Sequence, residues 1–449
     1  MQTTSGPPPA PKHTCPESLA TVTIRPGDRD YDAVRHTYTR LGSPAAVIRV
    51  RDHQDIADTL AHARTTGVPV TARSGGHGIS SRSTNDQGMV IDLSRLNTVE
   101  ILDSRSGLVR VEAGARWGDV AAALAPHGLG LSSGDTGDVG VGGLATAGGI
   151  GLMSRLHGLT IDHMRAAELV LADGSLIRTD TEHSPDLFWA VRGAGTNFGV
   201  ATAFEFQAQP VREVIVAMTV YDAADTAAFL TRWAAAVEAA PRLAHQFPDA
   251  RRRSRRESSC GPGDDRVRRH RRDAGPRGSR PPIVGRAGPA QPRNRHSLPP
   301  AAARRARAAA CAATADRVAP GLLDHITPPA AESMAALMKA AGMVQLRSVG
   351  AAVNDTPPTA MASSHRTQNF SLMAATVPAL RDGLDEHWER LQPHLNGLYL
   401  SFETRTGRRQ LQDAFPGPVL DRLVSLKAQY DPDHVFDNNF ALPSVPFPH

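Results

Sequence analysis

Val68-Pro69-Val70-Thr71-Ala72-Arg73-Ser74-Gly75-Gly76-His77-Gly78 is the stretch on which the reading of this chain turns. Val68–Ala72 has the residues of a strand, and it runs straight into glycines around a single histidine. Glycine tolerates positive φ and lets other groups come close to the backbone. Successive unengaged N–H groups form a nest for anions, above all phosphate. Upstream, Ala45–Val50 suits a buried strand. His53–Thr66 carries Ile56, Leu60 and Ala63 at helical spacing, and Gly67 ends that helix. Downstream, Met89–Leu93 and Leu108–Ala113 read as strands and Trp117–Leu124 as a helix. This alternation indicates a mixed α/β domain.

Two further glycine loops follow. One is Gly134-Asp135-Thr136-Gly137-Asp138-Val139-Gly140-Val141-Gly142-Gly143-Leu144, continued by Gly148-Gly149-Ile150-Gly151. The other is Arg192-Gly193-Ala194-Gly195-Thr196-Asn197-Phe198-Gly199, which leads into a strand at Val200–Phe206. One such loop would pass as a tight turn; three, each beside a strand, argue for a ligand. Gly140–Ala145 also fits G-x-G-x-x-G/A, but that pattern marks a dinucleotide fold only directly after a strand and opening a helix. Leu131–Asp135 reads as loop, so a nicotinamide-dinucleotide site is not expected. Between the last two loops lie a strand at Ala167–Ala172 and a helix from Pro185, with Ser184 as its expected N-cap. Later elements are a strand at Val214–Tyr221, a helix at Ala224–Ala239, a strand at Met343–Leu346, a helix at Val377–Leu391, a strand at Leu398–Phe402 and a helix at Val419–Tyr430.

Arg73-Ser74-Gly75-Gly76-His77 resembles the pyrophosphate loop of PCMH-type flavoproteins, in the branch that includes berberine bridge enzyme, 6-hydroxynicotine oxidase and sugar oxidases. Gly140–Gly151, Gly158-Leu159-Thr160-Ile161-Asp162, Ala172-Asp173-Gly174 and Asp186–Gly193 continue the resemblance in order. Arg422-Leu423, Lys427, Tyr430-Asp431-Pro432, Phe436 and Asn439 resemble its C-terminal signature. The similarity covers about 45–241 and 343–443. It implies an α+β fold, a PCMH-type FAD-binding domain with a central antiparallel-sheet substrate domain. It implies FAD held by Arg73, Ser74, Gly75, Gly76, His77, Gly78, Thr136, Val139, Gly140, Gly142, Gly143, Gly149, Asn197, Gly199, Val200 and Asn439, with a covalent bond through His77. Thr136 stands where some relatives have a second, cysteinyl attachment, so a single link is expected. The resemblance further implies hydride transfer from a substrate CH–OH or CH–NH group to flavin, with oxygen or another acceptor reoxidising it. Tyr399 is the candidate for proton handling, on Tyr399-Leu400-Ser401-Phe402, where Ser401 replaces the usual Asn. His365-Arg366 is a weaker candidate for the substrate's surroundings.

The 449 residues suit two or three domains. Cys15, Cys260 and Cys311 lack paired spacing, which argues against a disulfide framework or a zinc site; no metal is expected. No apolar run reaches membrane-spanning length, and Met1–Pro16 lacks the pattern of a secretory signal; a cytoplasmic location is expected. The net charge of +5 is misleading. Residues 251–310 contain 18 Arg, no Lys and four acidic residues, a net of +14, which leaves −9 for the rest. Arg, Pro, Ala and Gly fill 42 of those 60 positions, with no Phe, Tyr or Trp. Such a stretch holds too little apolar material to offset the entropy of ordering. It reads as a basic linker, as a tail for acidic partners, or as a GC-rich stretch translated out of frame. We favour the last; a nucleic-acid partner is not expected, since no aromatics are interleaved to stack bases. The expected domains are a disordered 1–30, an FAD domain at 31–207, a substrate domain at 208–405 with 249–312 anomalous, and 406–449 returning to the FAD domain. An out-of-frame middle would leave the alternative of a catalytically impaired flavin-binding remnant.

Overall fold

The computed structural model describes residues 16–211, 214, 223–246, 249–251, 317–376, 380–445 and 447. The first sheet comprises β1 (Thr23–Ile24), β2 (Ala46–Arg49), β3 (Val70–Arg73) and β4 (Met89–Asp92), in the order β1-β2-β4-β3 with β2, β4 and β3 parallel. The helix His53–Thr66 makes the crossover between β2 and β3. Asp52 caps it by accepting from the Asp55 amide, Ile56, Leu60 and Ala63 are buried, and left-handed Gly67 ends it. The N-terminal expectation needs correcting here. Residues 17–24 are ordered: a 3-10 helix, Glu17–Val22, buries Leu19 and Val22, and β1 pairs with β2.

A second, antiparallel sheet uses β5 (Val99–Asp103), β6 (Leu108–Glu112), β8 (Met164–Val170), β9 (Leu176–Asp180) and β10 (Val200–Gln207), in the order β5-β6-β10-β8-β9. Two-residue strands β7 (Leu129–Gly130) and β11 (Gln209–Pro210) pair beside it. A third sheet, β12 (Asp249–Arg251), β13 (Arg317–Leu323), β14 (Met343–Ser348) and β15 (Phe370–Thr376), has the order β12-β14-β15-β13 and is antiparallel throughout. One face carries Val344, Leu346, Phe370, Leu372 and Ala374 and packs on helices 226–238, 328–340 and 381–391. Its opposite face carries Val318, Met373 and Ala375 and meets Ile79 and Phe402. The third sheet therefore lies against the histidine loop.

β13 is absent from the sequence reading because Pro320 and Gly321 interrupt it. As an edge strand it needs no ladder donor at Pro320 on its outer side. The Leu398–Phe402 expectation is also corrected: Leu400–Phe402 is a 3-10 turn. Ser184 precedes Pro185 as expected, but its φ is 46° and its hydroxyl does not cap the helix. Apart from Val214, the Val214–Tyr221 strand lies outside the described residues, as does all of 249–312 except 249–251.

The C-terminal helix Pro418–Tyr430 returns to the first domain, its Leu420, Leu423, Val424 and Leu426 joining the large core. Lys427, fully buried, donates through Nζ to the Asn197 carbonyl (2.8 Å), the Phe436 carbonyl (2.9 Å) and the Asp431 carboxylate. Asp431 in turn accepts from the amides of Val435 and Phe436, each at 2.9 Å. Lys427→Met strands a buried carboxylate, so unfolding in urea should show a loss of about 3–5 kcal/mol. A loss under about 1 kcal/mol would mean that water reaches Asp431.

Candidate active site

The histidine loop leaves β3 with Arg73 turned inward. Its guanidinium pairs with Asp92 and donates to the Val34 carbonyl, all of it buried. Arg73 thus anchors the loop, with its side chain engaged by protein. Ser74 Oγ donates to the Ala113 carbonyl at 2.6 Å. Gly75 lies against Gly140: a Cβ on either would collide with the other's backbone. Gly76 has φ 68° and accepts from the Tyr38 amide at 2.8 Å. The Tyr38 ring stacks on the His77 imidazole, with centroids 4.7 Å apart and planes 16° apart. Among the described residues, no protein acceptor meets the amides of Gly75, Gly76 and His77. Burial pushes the His77 pKa down, Arg116 lowers it further and Asp138 opposes them, so the ring is neutral at pH 7.

The second loop is pinned to the end of β6. Val141 and Gly142 donate to the carbonyls of Ala115 and Ala113, and Trp117 and Gly118 donate to those of Val139 and Gly137. Val141–Ala147 is helical, so the decoy pattern does open a helix, but a loop precedes it as expected. Gly143 is exposed, with nothing within 4 Å of a Cβ there. Thr136 is exposed too, and its neighbour Asp135 accepts from Arg347 of β14 at 3.0 Å. Gly148 (φ 128°) and Gly149 (φ 85°) then turn the chain toward Tyr399. The Gly149 amide donates to the Tyr399 hydroxyl at 3.0 Å, and the Tyr399 ring meets Phe402 edge-on at 5.1 Å. Beside Tyr399 lies a cavity of about 40 Å³ lined also by Ala147, Ile150, Ser363, His365 and Gln368. This volume holds a water molecule.

The third loop is less open. The Asn197 side chain accepts from the Leu442 amide at 3.2 Å and donates to the Ala194 carbonyl. Gly199 fits beneath the Val170 carbonyl, and Val200 is buried at the start of β10. These three tie protein to protein. Asn439 differs: its Nδ2 meets Thr196 Oγ1 at 3.3 Å, while its buried Oδ1 has no partner among the described residues. Arg366 is buried and bidentate to Asp162, at 2.9 and 3.0 Å, which makes it a strut. His365 does border the cavity, with Nε2 2.8 Å from the Asp413 carbonyl. A carbonyl only accepts, so Nε2 carries the proton in the neutral ring. Sequence reasoning missed Tyr38, the ring stacked on His77, which no motif marks.

Unengaged amides beside a neutral histidine, glycine backbones too close for side chains, and an orphaned buried amide oxygen fit a bound dinucleotide with a flat ring system. Residues 44–180 match the FAD binding domain family, and residues 412–443 match the berberine and berberine-like family. The (R)-6-hydroxynicotine oxidase of Paenarthrobacter nicotinovorans is 36% identical over 198 residues, 44% of this chain and 43% of that enzyme. The matched stretch thus spans less than half of that relative. Solved structures share the fold along nearly the whole chain. A BBE-like protein from Physcomitrella patens superposes with a TM-score of 0.75 at 18% identity, covering 96% of this chain and 98% of that one. Glucooligosaccharide oxidase from Acremonium strictum, described with a 6-S-cysteinyl, 8α-N1-histidyl FAD, gives 0.71 at 18% identity, covering 95% and 97%. With an FAD-binding segment, a berberine-like C-terminus and this fold, the chain is similar to the berberine-bridge-enzyme-like FAD-linked oxidoreductases.

Proposed function

We propose that the chain is an FAD-linked oxidase whose flavin is attached through His77 and whose substrate is a small molecule with a CH–OH or CH–NH group. The observation that carries this reading is the neutral His77 imidazole, stacked on Tyr38 at the mouth of a loop with three unengaged amides. Bound FAD supplies a two-electron acceptor for hydride and passes the electrons to oxygen or another acceptor. The chain's own residues do the rest. The backbone of Ser74–Gly78 and of Val139–Gly143 binds the diphosphate, and Asn439 Oδ1 accepts from a ring donor. A neutral imidazole has a free lone pair for the bond to the isoalloxazine 8α position. Exposed Thr136 offers no sulfur, so His77 makes the only link.

Tyr399 moves the substrate proton. Its oxygen accepts from the Gly149 amide, which fixes the phenol. Its proton remains free to be exchanged with a substrate oxygen or nitrogen, and the adjoining cavity gives a water-sized outlet lined by His365. The names of the relatives, a hydroxynicotine oxidase and a glucooligosaccharide oxidase, support a small organic substrate with an oxidisable C–H next to oxygen or nitrogen. No observation in the described residues favours an impaired remnant.

Acid precipitation of the purified protein tests the attachment. The washed pellet should stay yellow, and a His77→Ala pellet should be colourless. Flavin in the wild-type supernatant would remove the histidyl bond and leave FAD binding; flavin in neither fraction would defeat the reading. Tyr399→Phe should lower kcat at least about 100-fold with flavin content unchanged; an unaltered kcat would assign proton transfer elsewhere. Two glycine variants separate packing from cofactor contact. Gly75→Ala should lower both the melting temperature and flavin content, because its Cβ collides with Gly140. Gly143→Ala should melt like the wild type yet bind less flavin. A fully loaded Gly143→Ala protein would take Gly143 out of the cofactor's cradle.

A further inference from the structure

Tyr38 stands well before His77 in the chain, yet a tight turn delivers its ring to the imidazole. Within that turn His36 and Leu41 form a β-bridge. The Thr37 amide donates to the Arg40 carbonyl at 2.8 Å, and the Arg40 amide donates to Thr37 Oγ1 at 3.1 Å. The turn is strapped to the histidine loop on both sides of His77. Ahead of it, the Tyr38 amide donates to the Gly76 carbonyl at 2.8 Å. Beyond it, Thr39 Oγ1 and Ser81 Oγ share a hydrogen bond of 2.7 Å, and Arg40 pairs with Asp86. The Thr84 hydroxyl adds a bond to the Arg35 carbonyl at 2.9 Å. Between these ties the Tyr38 ring covers one face of the imidazole, with centroids 4.7 Å and planes 16° apart.

This contact constrains the imidazole without using up its nitrogens. Stacking covers a face, whereas the nitrogen lone pair lies in the ring plane, at the edge. A histidine is commonly oriented by a hydrogen bond on one of its nitrogens. His365 is held in that way, with Nε2 donating to the Asp413 carbonyl at 2.8 Å. Among the described residues, His77 has no such partner on either nitrogen. The χ2 torsion of a histidine is broad, so the side chain alone does not fix the plane. The Tyr38 ring is the contact that does.

We propose that Tyr38 is a positioning residue for cofactor attachment, its ring holding the His77 imidazole in the plane from which it bonds the flavin. The inference rests on the reading of His77 as the attachment point. The new bond joins one imidazole nitrogen, through its lone pair, to the 8α carbon of FAD. One 8α C–H bond breaks: its electron pair passes into the flavin and its proton to solvent. The imidazole gives up its N–H proton. Oxygen takes up two electrons and two protons and leaves as hydrogen peroxide, so the attached flavin ends oxidised. A lone pair turned out of line slows such a step without weakening FAD binding, because misalignment costs rate. The role belongs to the ring face and not to the hydroxyl.

The attachment rate tests this directly. The full chain is made in riboflavin-starved cells, incubated with FAD in air and acid-precipitated at intervals. Flavin in the washed pellet gives the rate, and absorbance before precipitation gives total binding. Tyr38→Leu should melt and bind FAD like the wild type, but attach it at least about ten-fold more slowly. Tyr38→Phe keeps the ring and should attach FAD at the wild-type rate. Wild-type speed in Tyr38→Leu would overturn the proposal, as would a Tyr38→Phe protein as slow as Tyr38→Leu. A Tyr38→Leu protein that loses its fold or its FAD would overturn it too, because the ring would then hold the loop and not the imidazole. The wild type separates the levels of the argument. No bound FAD refutes the oxidase reading, and FAD wholly released by acid refutes attachment through His77. Covalent flavin with indifferent Tyr38 variants refutes the positioning role alone.

Discussion

Gly75 and Gly140 touch backbone to backbone, 65 positions apart in the chain, and the site follows from that contact. Any Cβ at either position would force the loops apart. With both glycines in place, the end of β3 and the loop after β7 lie side by side. Ser74 and Gly142 then reach the same acceptor, the Ala113 carbonyl, from opposite loops. The amides that remain unengaged on the first loop are the consequence. A strand end has run out of ladder partners, and the neighbouring loop comes too close for a side chain to reach in and satisfy them. A surface of unengaged amides arises because packing excludes protein acceptors.

Many motif residues act one layer behind that surface. Arg73 steadies β3 through Asp92. Asp162 grips Arg366, and through it the 361–366 segment. Gly193, at φ 139°, leaves room for Ser363, whose amide donates to the Arg192 carbonyl. Lys427 and Asp431 join the last helix to Asn197 and Phe436. A signature of this kind identifies the fold more directly than it identifies the chemistry. Its charged members are buried and paired, which they must be, since an unpaired charge in the same place would destabilise the protein strongly.

The first domain was legible from the sequence because its signals are local. Periodicity gave the helices His53–Thr66 and Trp117–Leu124 within a residue, and glycine runs gave the loops. The third sheet was legible only in part. Pro320 and Gly321 hide β13, and its strands pair across long separations that no local pattern encodes. Side-chain direction was the least legible. Asn197 and Arg73 sit in glycine-loop motifs yet point into protein, while Tyr38, outside any motif, stacks on His77. Tyr399 was found through its motif neighbours, but its partner, the Gly149 amide, lies 250 residues away.

The two sides of the site differ for a physical reason. A cofactor cradle needs backbone donors fixed to within a fraction of an ångström, and tightly packed glycine loops at strand ends offer them. The third sheet instead brings side chains: its face opposite the helix-packed core buries Met373 and Ala375 against Ile79 and Phe402. Arg347 and Ser371 share that face. Leu346 and Leu372, their chain neighbours, belong to the other face and to the core. The same alternation that builds the helix-packed core thus puts charge and polarity on the face turned toward the loops. The Asp135–Arg347 pair joins that face to the second glycine loop.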